Sequence, residues 1–313
     1  MHLVTGGAGF IGSHLTTRLV ELGGAVRVID DLSRGRLEHL TPVRDSVDLI
    51  TGDVRNGEVI RRAMAGVEVV YHHAAEPSVA RSIDDPHTTF DVNVRGTLNV
   101  LLAARDAGCR RVVFASSSSV YGDTPQTPQT ELLLPAPLSP YAASKLAGEQ
   151  LCAVFSRVYG LETVALRYFN VFGPRGDPAS AYAAVIPRLL TALLRGETPT
   201  IYGDGEQSRD FVYIDNVVEA NLRAAAAPGV SGQVFNIATG HAVTLNELLA
   251  ALQRLTGCSA SPVQAPDRPG DIRHSLADIS RAEASLGYRV VVPFDKGLAG
   301  TVAAARRVTT PQQ

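Results

Sequence analysis

The run Thr5-Gly6-Gly7-Ala8-Gly9-Phe10-Ile11-Gly12 constrains this chain more than any other segment. It follows a short apolar stretch, Leu3–Thr5, and opens a stretch of helical periodicity, Ile11–Leu22. Glycines at such a junction let the backbone turn sharply and let helix pack closely on strand, and the free N–H groups at the helix start suit an anion. Gly7, Gly9 and Gly12 fit G-x-G-x-x-G, and Gly6, Gly9 and Gly12 fit the related G-x-x-G-x-x-G. A ligand-free glycine turn is the plain alternative. Against it, Asp30 ends a second apolar run, Ala25–Asp30, close to the spacing of about 20 residues at which an acid meets the ribose hydroxyls of a dinucleotide. Further apolar runs (Val47–Gly52, Val67–His72, Arg111–Ala115, Thr163–Arg167) alternate with helical stretches near Asn56–Ala65, Thr88–Gly108 and Tyr141–Tyr159. That alternation predicts an α/β fold with a doubly wound parallel sheet of the Rossmann kind, whose ligands lie beyond the carboxyl ends of the strands.

After Asn170 the pattern changes. Loops rich in Pro and Gly, at residues 173–178, 202–205 and 266–270, interrupt helical patterns at 181–195, 215–227 and 244–256. They predict a smaller, mixed α/β substrate-binding domain over the sheet's carboxyl edge. We therefore assign residues 1–169 to a nucleotide-binding domain with return segments near 212–240, and 170–313 to a discontinuous second domain. Val212–Ile214 and Val234–Ile237 read as short strands, one or both returning to the first domain.

The 313 residues carry a net charge of −2, which gives nucleic-acid phosphates or an anionic membrane no basic face to hold. Cys109, Cys152 and Cys258 are an odd number in no metal-binding spacing, and read as small core residues. No apolar run is long enough to span a bilayer, and Met1 lies two residues before the first strand, so a cytoplasmic location is expected.

Tyr141 and Lys145 are spaced i and i+4 behind Ser139-Pro140, which reads as an N-cap followed by proline at the first helical position. Both side chains then share one helix face. A tyrosine ionises near a pKa of about 10, and lowering that by about 3 units takes roughly 4 kcal/mol of preferential phenolate stabilisation. An adjacent ammonium and a cationic nicotinamide ring are expected to supply it. The serine run Ser116-Ser117-Ser118-Ser119 before Val120-Tyr121-Gly122 ends the fifth strand, placing hydroxyls at the same sheet edge as the glycine loop. Asp30 would repel a 2′-phosphate and so favours NAD over NADP, although Arg34 and Arg36 follow closely and work against that preference. Asp53 is placed either to meet the adenine edge or to cap the helix near Asn56. His72 and His73, adjacent on a strand, point to opposite faces, so a core residue and a cofactor-side wall are expected and no metal.

With these motifs in place the sequence resembles the extended short-chain dehydrogenase/reductase family, in particular its NAD-dependent UDP-sugar 4-epimerases. The likeness extends through the chain: Thr5 to Gly12, Asp30 to Gly35, Gly52 to Val54, His73 to Ala75, Ser116 to Gly122, Ser139 to Lys145, Arg167 to Arg175, Tyr202 to Gly205, Arg209 to Val212 and Arg268 to Asp271. It implies Tyr141 as general base, Lys145 as its electrostatic partner and ribose anchor, and Ser117 as the hydroxyl bonding the reacting sugar oxygen. For NAD it implies Gly6, Gly9, Phe10, Ile11, Gly12, Asp30, Asp31, Ser33, Arg34, Gly35, Asp53, Val54, His73, Ala74, Ala75 and Phe169, with Tyr141 and Lys145. For a UDP-sugar it implies Ser117, Ser118, Tyr141, Asn170, Val185, Tyr202, Arg209, Arg268, Asp271 and Ser275.

Related dehydratases carry Thr-Asp-Glu, and related decarboxylases a Glu, where this chain has Ser117-Ser118-Ser119. The resemblance thus points to redox without a second acid–base pair: interconversion of UDP-glucose and UDP-galactose through a transient 4-keto sugar. Ser275 stands where some members carry a tyrosine, so UDP-N-acetylglucosamine and UDP-N-acetylgalactosamine are further expected substrates. A UDP-glucuronate 4-epimerase, another nucleotide-sugar oxidoreductase or decarboxylase, and a non-catalytic NAD-binding scaffold are the alternatives. The family's usual homodimer would use the long helices near 88–108 and 141–160.

Overall fold

The structure is a computed structural model describing residues 1–176, 185–266 and 272–309. Seven parallel strands form one sheet: β1 (His2–Thr5), β2 (Val26–Asp30), β3 (Val47–Thr51), β4 (Val69–His72), β5 (Arg111–Ser117), β6 (Glu162–Tyr168) and β7 (Gln233–Ile237). Their spatial order is β7-β6-β5-β4-β1-β2-β3, so the chain reverses direction of travel between β1 and β4. Thr5 lies opposite both Ile29 and His72, and Ser117 lies opposite Tyr168, which brings the strands' carboxyl ends to a common edge.

Successive strand residues point to opposite faces, and both faces are covered. Val4, Val28, Tyr71, Val113 and Val164 pack with Leu15, Leu19 and Val217 on one side. Leu3, Ile29, Val70, Val112 and Phe114 pack with Ile60, Leu101, Cys152 and Phe155 on the other. A sheet buried twice over explains why these strands read as continuous apolar runs.

The remaining elements gather around a third cluster that includes Leu189, Leu190, Phe211, Leu248, Leu252 and Leu298. Here Thr200–Tyr202 pairs with Val263–Ala265, while Ser208–Asp210 lies between Ala242–Thr244 and His274–Ser275. Of the two short strands expected to return, Val212–Tyr213 pairs instead with Val171–Phe172, and only Gln233–Ile237 joins the large sheet. Of the helical pattern 181–195, Val185–Leu194 is helix and 181–184 fall outside the described residues.

The expected single helix over Thr88–Gly108 is three pieces: an α-helical turn Pro86–Phe90, a π-helical turn Asp91–Arg95 and an α-helix Gly96–Asp106. The apolar periodicity runs through all three, which is why the interruption is invisible to it. Among the described residues, no helix is long and apolar enough to cross a membrane.

Candidate active site

Gly6 adopts φ +68°, and a Cβ there would sit 2.7 Å from the Ala74 amide nitrogen, so the first turn of the loop accepts only glycine. The helix Phe10–Glu21 follows Gly9 with no side chain capping its first amides. Those N–H groups, at the positive end of the helix, suit a pyrophosphate. Asp30 ends β2 buried, its Oδ2 accepting from the Ala8 amide and its Oδ1 from the Leu32 amide, each at 2.9 Å. Burial pushes its carboxyl above the ordinary range, and these N–H donors oppose the shift. The acid therefore shapes the glycine loop as well as facing it. A Cβ on Gly35 would come within 2.5 Å of the Asp30 carboxylate. Asp31 accepts from the amide and hydroxyl of Ser33. Arg34 reaches across to Glu76, at 3.2 and 3.3 Å.

At the end of β3, Asp53 does not cap the next helix; Asn56 does, accepting from the Glu58 and Val59 amides. Asp53 instead accepts from the Arg55 amide and from its Nε and Nη2, at 2.8, 2.8 and 2.5 Å, and that guanidinium holds its carboxyl below the usual range. Val54 beside it is buried. The strand end thus presents a fixed carboxylate where the adenine edge was expected, alongside an arginine that sequence reading had not connected to it.

Ser139 caps the helix Pro140–Tyr159, accepting from the Ala142 amide at 3.1 Å, with Pro140 in the first turn. Tyr141 and Lys145 consequently share a face, with the ammonium 5.9 Å from the tyrosine ring centre. Lys145 Nζ donates to the Ala115 carbonyl on β5 at 2.9 Å, and burial lowers its pKa to about 8. Burial raises the phenol above its ordinary value, and what pulls it back is a hydrogen bond with Ser117. The hydrogen bond to the Ala115 carbonyl fixes the lysine beside the tyrosine ring.

Ser117 accepts from the Ser119 amide at 3.2 Å and from the Ser119 hydroxyl at 2.9 Å, in the turn Ser118–Tyr121. Ser118 is half-buried in the same turn. His72 points into the core, bonded to Thr5 Oγ1 and Thr97 Oγ1 at 2.7 and 2.9 Å. His73 turns the other way and stacks on Tyr168 with ring centres 6.1 Å apart. Burial drives both imidazoles down to a pKa of about 3, so both are neutral. Ala74 and Ala75 continue the wall after His73, half-buried. Among the described residues no group of His, Cys, Asp or Glu has the makings of a metal site.

On the opposite bank, Phe169 is fully buried and packs on Tyr121, placing its ring in the core behind the site. Asn170, at φ +23°, donates to the Asp210 carbonyl at 3.0 Å. Val185 opens its helix half-buried. The Arg188 guanidinium lies 5.2 Å above the Tyr202 ring. Arg209 donates to the Ser208 carbonyl and sits opposite Ser275, which is buried. Arg268 and Asp271 lie outside the described residues.

Two buried networks escaped sequence reading. Glu149 takes Arg167 in a two-point ion pair at 2.9 and 2.7 Å and also accepts from the Ser116 hydroxyl. Asn93, in the π turn, accepts from the Glu76 amide and donates to the Glu76 carbonyl and to Ser144 Oγ, which donates to the Tyr141 carbonyl. The signal for the first lay in the spacing, since Tyr141, Lys145 and Glu149 are each one turn apart.

A glycine loop with uncapped helix amides and an acid ending the neighbouring strand, beside the point where the strand order reverses, together define a dinucleotide-binding protein of the Rossmann type. The residues present fit NAD. The chain belongs to the NAD dependent epimerase/dehydratase family, whose pattern matches residues 2–238. It is 42% identical over 304 residues to a UDP-glucose 4-epimerase of Mycolicibacterium smegmatis, spanning 96% of each chain. A UDP-glucose 4-epimerase of Thermotoga maritima, solved with UDP-glucose, superposes with a TM-score of 0.94 at 38% identity, over 99% of both chains. A UDP-N-acetylglucosamine 4-epimerase of Methanobrevibacter ruminantium, solved with UDP-N-acetylmuramic acid, gives 0.94 at 38% identity over 98% of both.

Proposed function

We propose that this chain is an NAD-dependent UDP-sugar 4-epimerase that interconverts UDP-glucose and UDP-galactose. The reading rests on one observation above the others: Tyr141, Lys145 and Ser117 converge at the sheet edge that carries the glycine loop. The full-length likeness to UDP-glucose 4-epimerases supports it.

In this reading the Gly6, Gly9 and Gly12 loop and the amides of Phe10 and Ile11 hold the pyrophosphate of NAD. Asp30, Asp31, Ser33, Arg34 and Gly35 face its adenosine ribose, and Asp53 and Val54 the adenine. His73, Ala74, Ala75 and Phe169 back the nicotinamide half, whose ribose Tyr141 and Lys145 anchor. Bound NAD supplies a reversible acceptor for the hydrogen on C4 of the sugar. Tyr141 takes the proton of the C4 hydroxyl, and Ser117 donates a hydrogen bond to the same oxygen. After the 4-keto sugar has turned over, Tyr141 returns the proton and the hydroxyl is re-formed on the other face. Burial alone holds Tyr141 as the neutral phenol, so its service as a base depends on cationic charge at the site, from Lys145 and from the oxidised nicotinamide. Asn170, Val185, Tyr202, Arg209, Arg268, Asp271 and Ser118 would hold the nucleotide and sugar. Ser275, small and buried, leaves room for a 2-acetamido group, so we extend the substrates to UDP-N-acetylglucosamine and UDP-N-acetylgalactosamine; the likeness to a UDP-N-acetylglucosamine 4-epimerase supports this.

We also propose a homodimer. Phe90, Val154, Val158 and Tyr159 expose apolar surface along the two helical segments expected to pair.

The test is incubation of the purified chain with UDP-glucose, UDP-N-acetylglucosamine and UDP-glucuronate separately, with the C4 configuration of each product resolved. Epimers of the first two are expected without net NADH. Tyr141→Phe is expected to slow interconversion at least about a hundredfold. Undiminished turnover by that variant would remove the reading.

A further inference from the structure

A serine hydroxyl has one proton to give and two lone pairs with which to receive. In the turn that closes β5, both lone pairs of Ser117 are engaged by a single residue. The Ser119 amide donates at 3.2 Å and the Ser119 hydroxyl at 2.9 Å. With its acceptor sites filled from behind, the Ser117 hydroxyl can act outward only as a donor, and toward Tyr141 such a donor favours the ionised phenol.

We propose that Ser119 is a positioning residue which fixes the Ser117 hydroxyl as a one-way donor to the oxygen that carries negative charge at the reacting centre. The inference rests on the roles given to Ser117 and Tyr141 above. The direction of the chain, from Ser119 hydroxyl to Ser117 hydroxyl to phenolate or sugar oxygen, has two physical effects. A donor that is itself receiving a hydrogen bond is polarised and donates more strongly. A hydroxyl that cannot rotate to use its proton elsewhere is preorganised, so no reorientation is required as charge develops. Ser119 itself stays behind Ser117, so its loss should act on the chemical step and on the ionisation of Tyr141 rather than on sugar binding.

The experiment uses the full chain carrying NAD, and compares Ser119→Ala with Ser119→Thr, which restores the hydroxyl. Ser119→Ala is expected to lower kcat about tenfold, a fraction of what loss of a direct oxyanion donor costs. KM for UDP-glucose should stay within about twofold, because sugar binding does not pass through this hydroxyl. The acidic limb of the kcat pH profile should move to higher pH as the phenolate loses a donor. A second readout without turnover is the titration of Tyr141 by 13C-tyrosine NMR, the signal being assigned with Tyr141→Phe; its midpoint should rise in Ser119→Ala. Ser119→Thr should recover the rate, the limb and the midpoint. A wild-type pH limb and midpoint in Ser119→Ala, or failure of Ser119→Thr to recover them, would overturn the proposal. If Ser117→Ala and Tyr141→Phe abolish turnover while Ser119→Ala does nothing, only the role of Ser119 falls; full turnover in Tyr141→Phe removes the parent reading instead.

Discussion

Glu149 stands one further turn along the face that carries Tyr141 and Lys145, and it is buried together with Arg167. The pair ties the helix Pro140–Tyr159 to β6, and through Ser116 to the end of β5. Glu149→Gln preserves volume and removes one charge, leaving the guanidinium uncompensated in the interior. Such a loss costs roughly 3–5 kcal/mol, so the urea midpoint should fall clearly. Replacing both partners with apolar residues, Glu149→Leu with Arg167→Met, should recover much of that loss, because neither charge is then stranded. At this scale Tyr141 and Lys145 were legible because helical spacing alone puts them side by side. Arg167 was not, because its meeting with Glu149 depends on β6 lying beside β5. The four serines were likewise visible in a row, but which hydroxyl gives to which is set by the turn.

The π turn Asp91–Arg95 is the element that departs most from expectation, and its position has a use. It carries Asn93 into contact with both backbone polar groups of Glu76 and with Ser144 on the neighbouring helix. Asn93→Ala would leave the Glu76 N–H and C=O without partners in the interior, at about 1–3 kcal/mol for each group left unpaired. The thermal midpoint should drop, and hydrogen exchange should quicken at the Glu76 amide. The first six strands were readable from sequence to within two residues at their ends, since most are buried on both faces and largely apolar, and four of them stop at or just before Gly, Asp or Ser. The seventh was readable as one of two short strands of which one or both return to the first domain; which of the two joins the large sheet was not, because pairing partners distant in sequence leave no periodicity.

For the whole molecule, two consequences concern assembly and acidity. If Val154 and Val158 lie in a dimer interface, Val154→Glu with Val158→Glu should convert the protein to monomers in sedimentation, since charges without partners there oppose burial. His72 is 1% exposed and its pKa is depressed to about 3 against an unfolded value of 6.5. His14 is depressed to about 4 by burial, and His73 to about 3. In each case the folded chain refuses a proton that the unfolded chain accepts, so their stabilising effect is complete above about pH 6.5 and is lost as pH falls toward the folded values. For His72 alone the slope approaches about 1.4 kcal/mol per pH unit. Denaturation midpoints measured from about pH 7.5 down to about pH 5 should therefore decline, with the slope reduced in His72→Gln.

The return of the chain to place Gln233–Ile237 beside Glu162–Tyr168 also governs how the protein must be made. Until residue 237 has left the ribosome, Glu162–Tyr168 is a bare margin with unpaired amides and carbonyls, open to any extended peptide nearby. Cutting the gene near residue 170 is expected to yield a piece that lacks this edge strand and sticks to its own copies. Synthesis as one continuous chain is thus expected to keep that edge covered and the protein in solution.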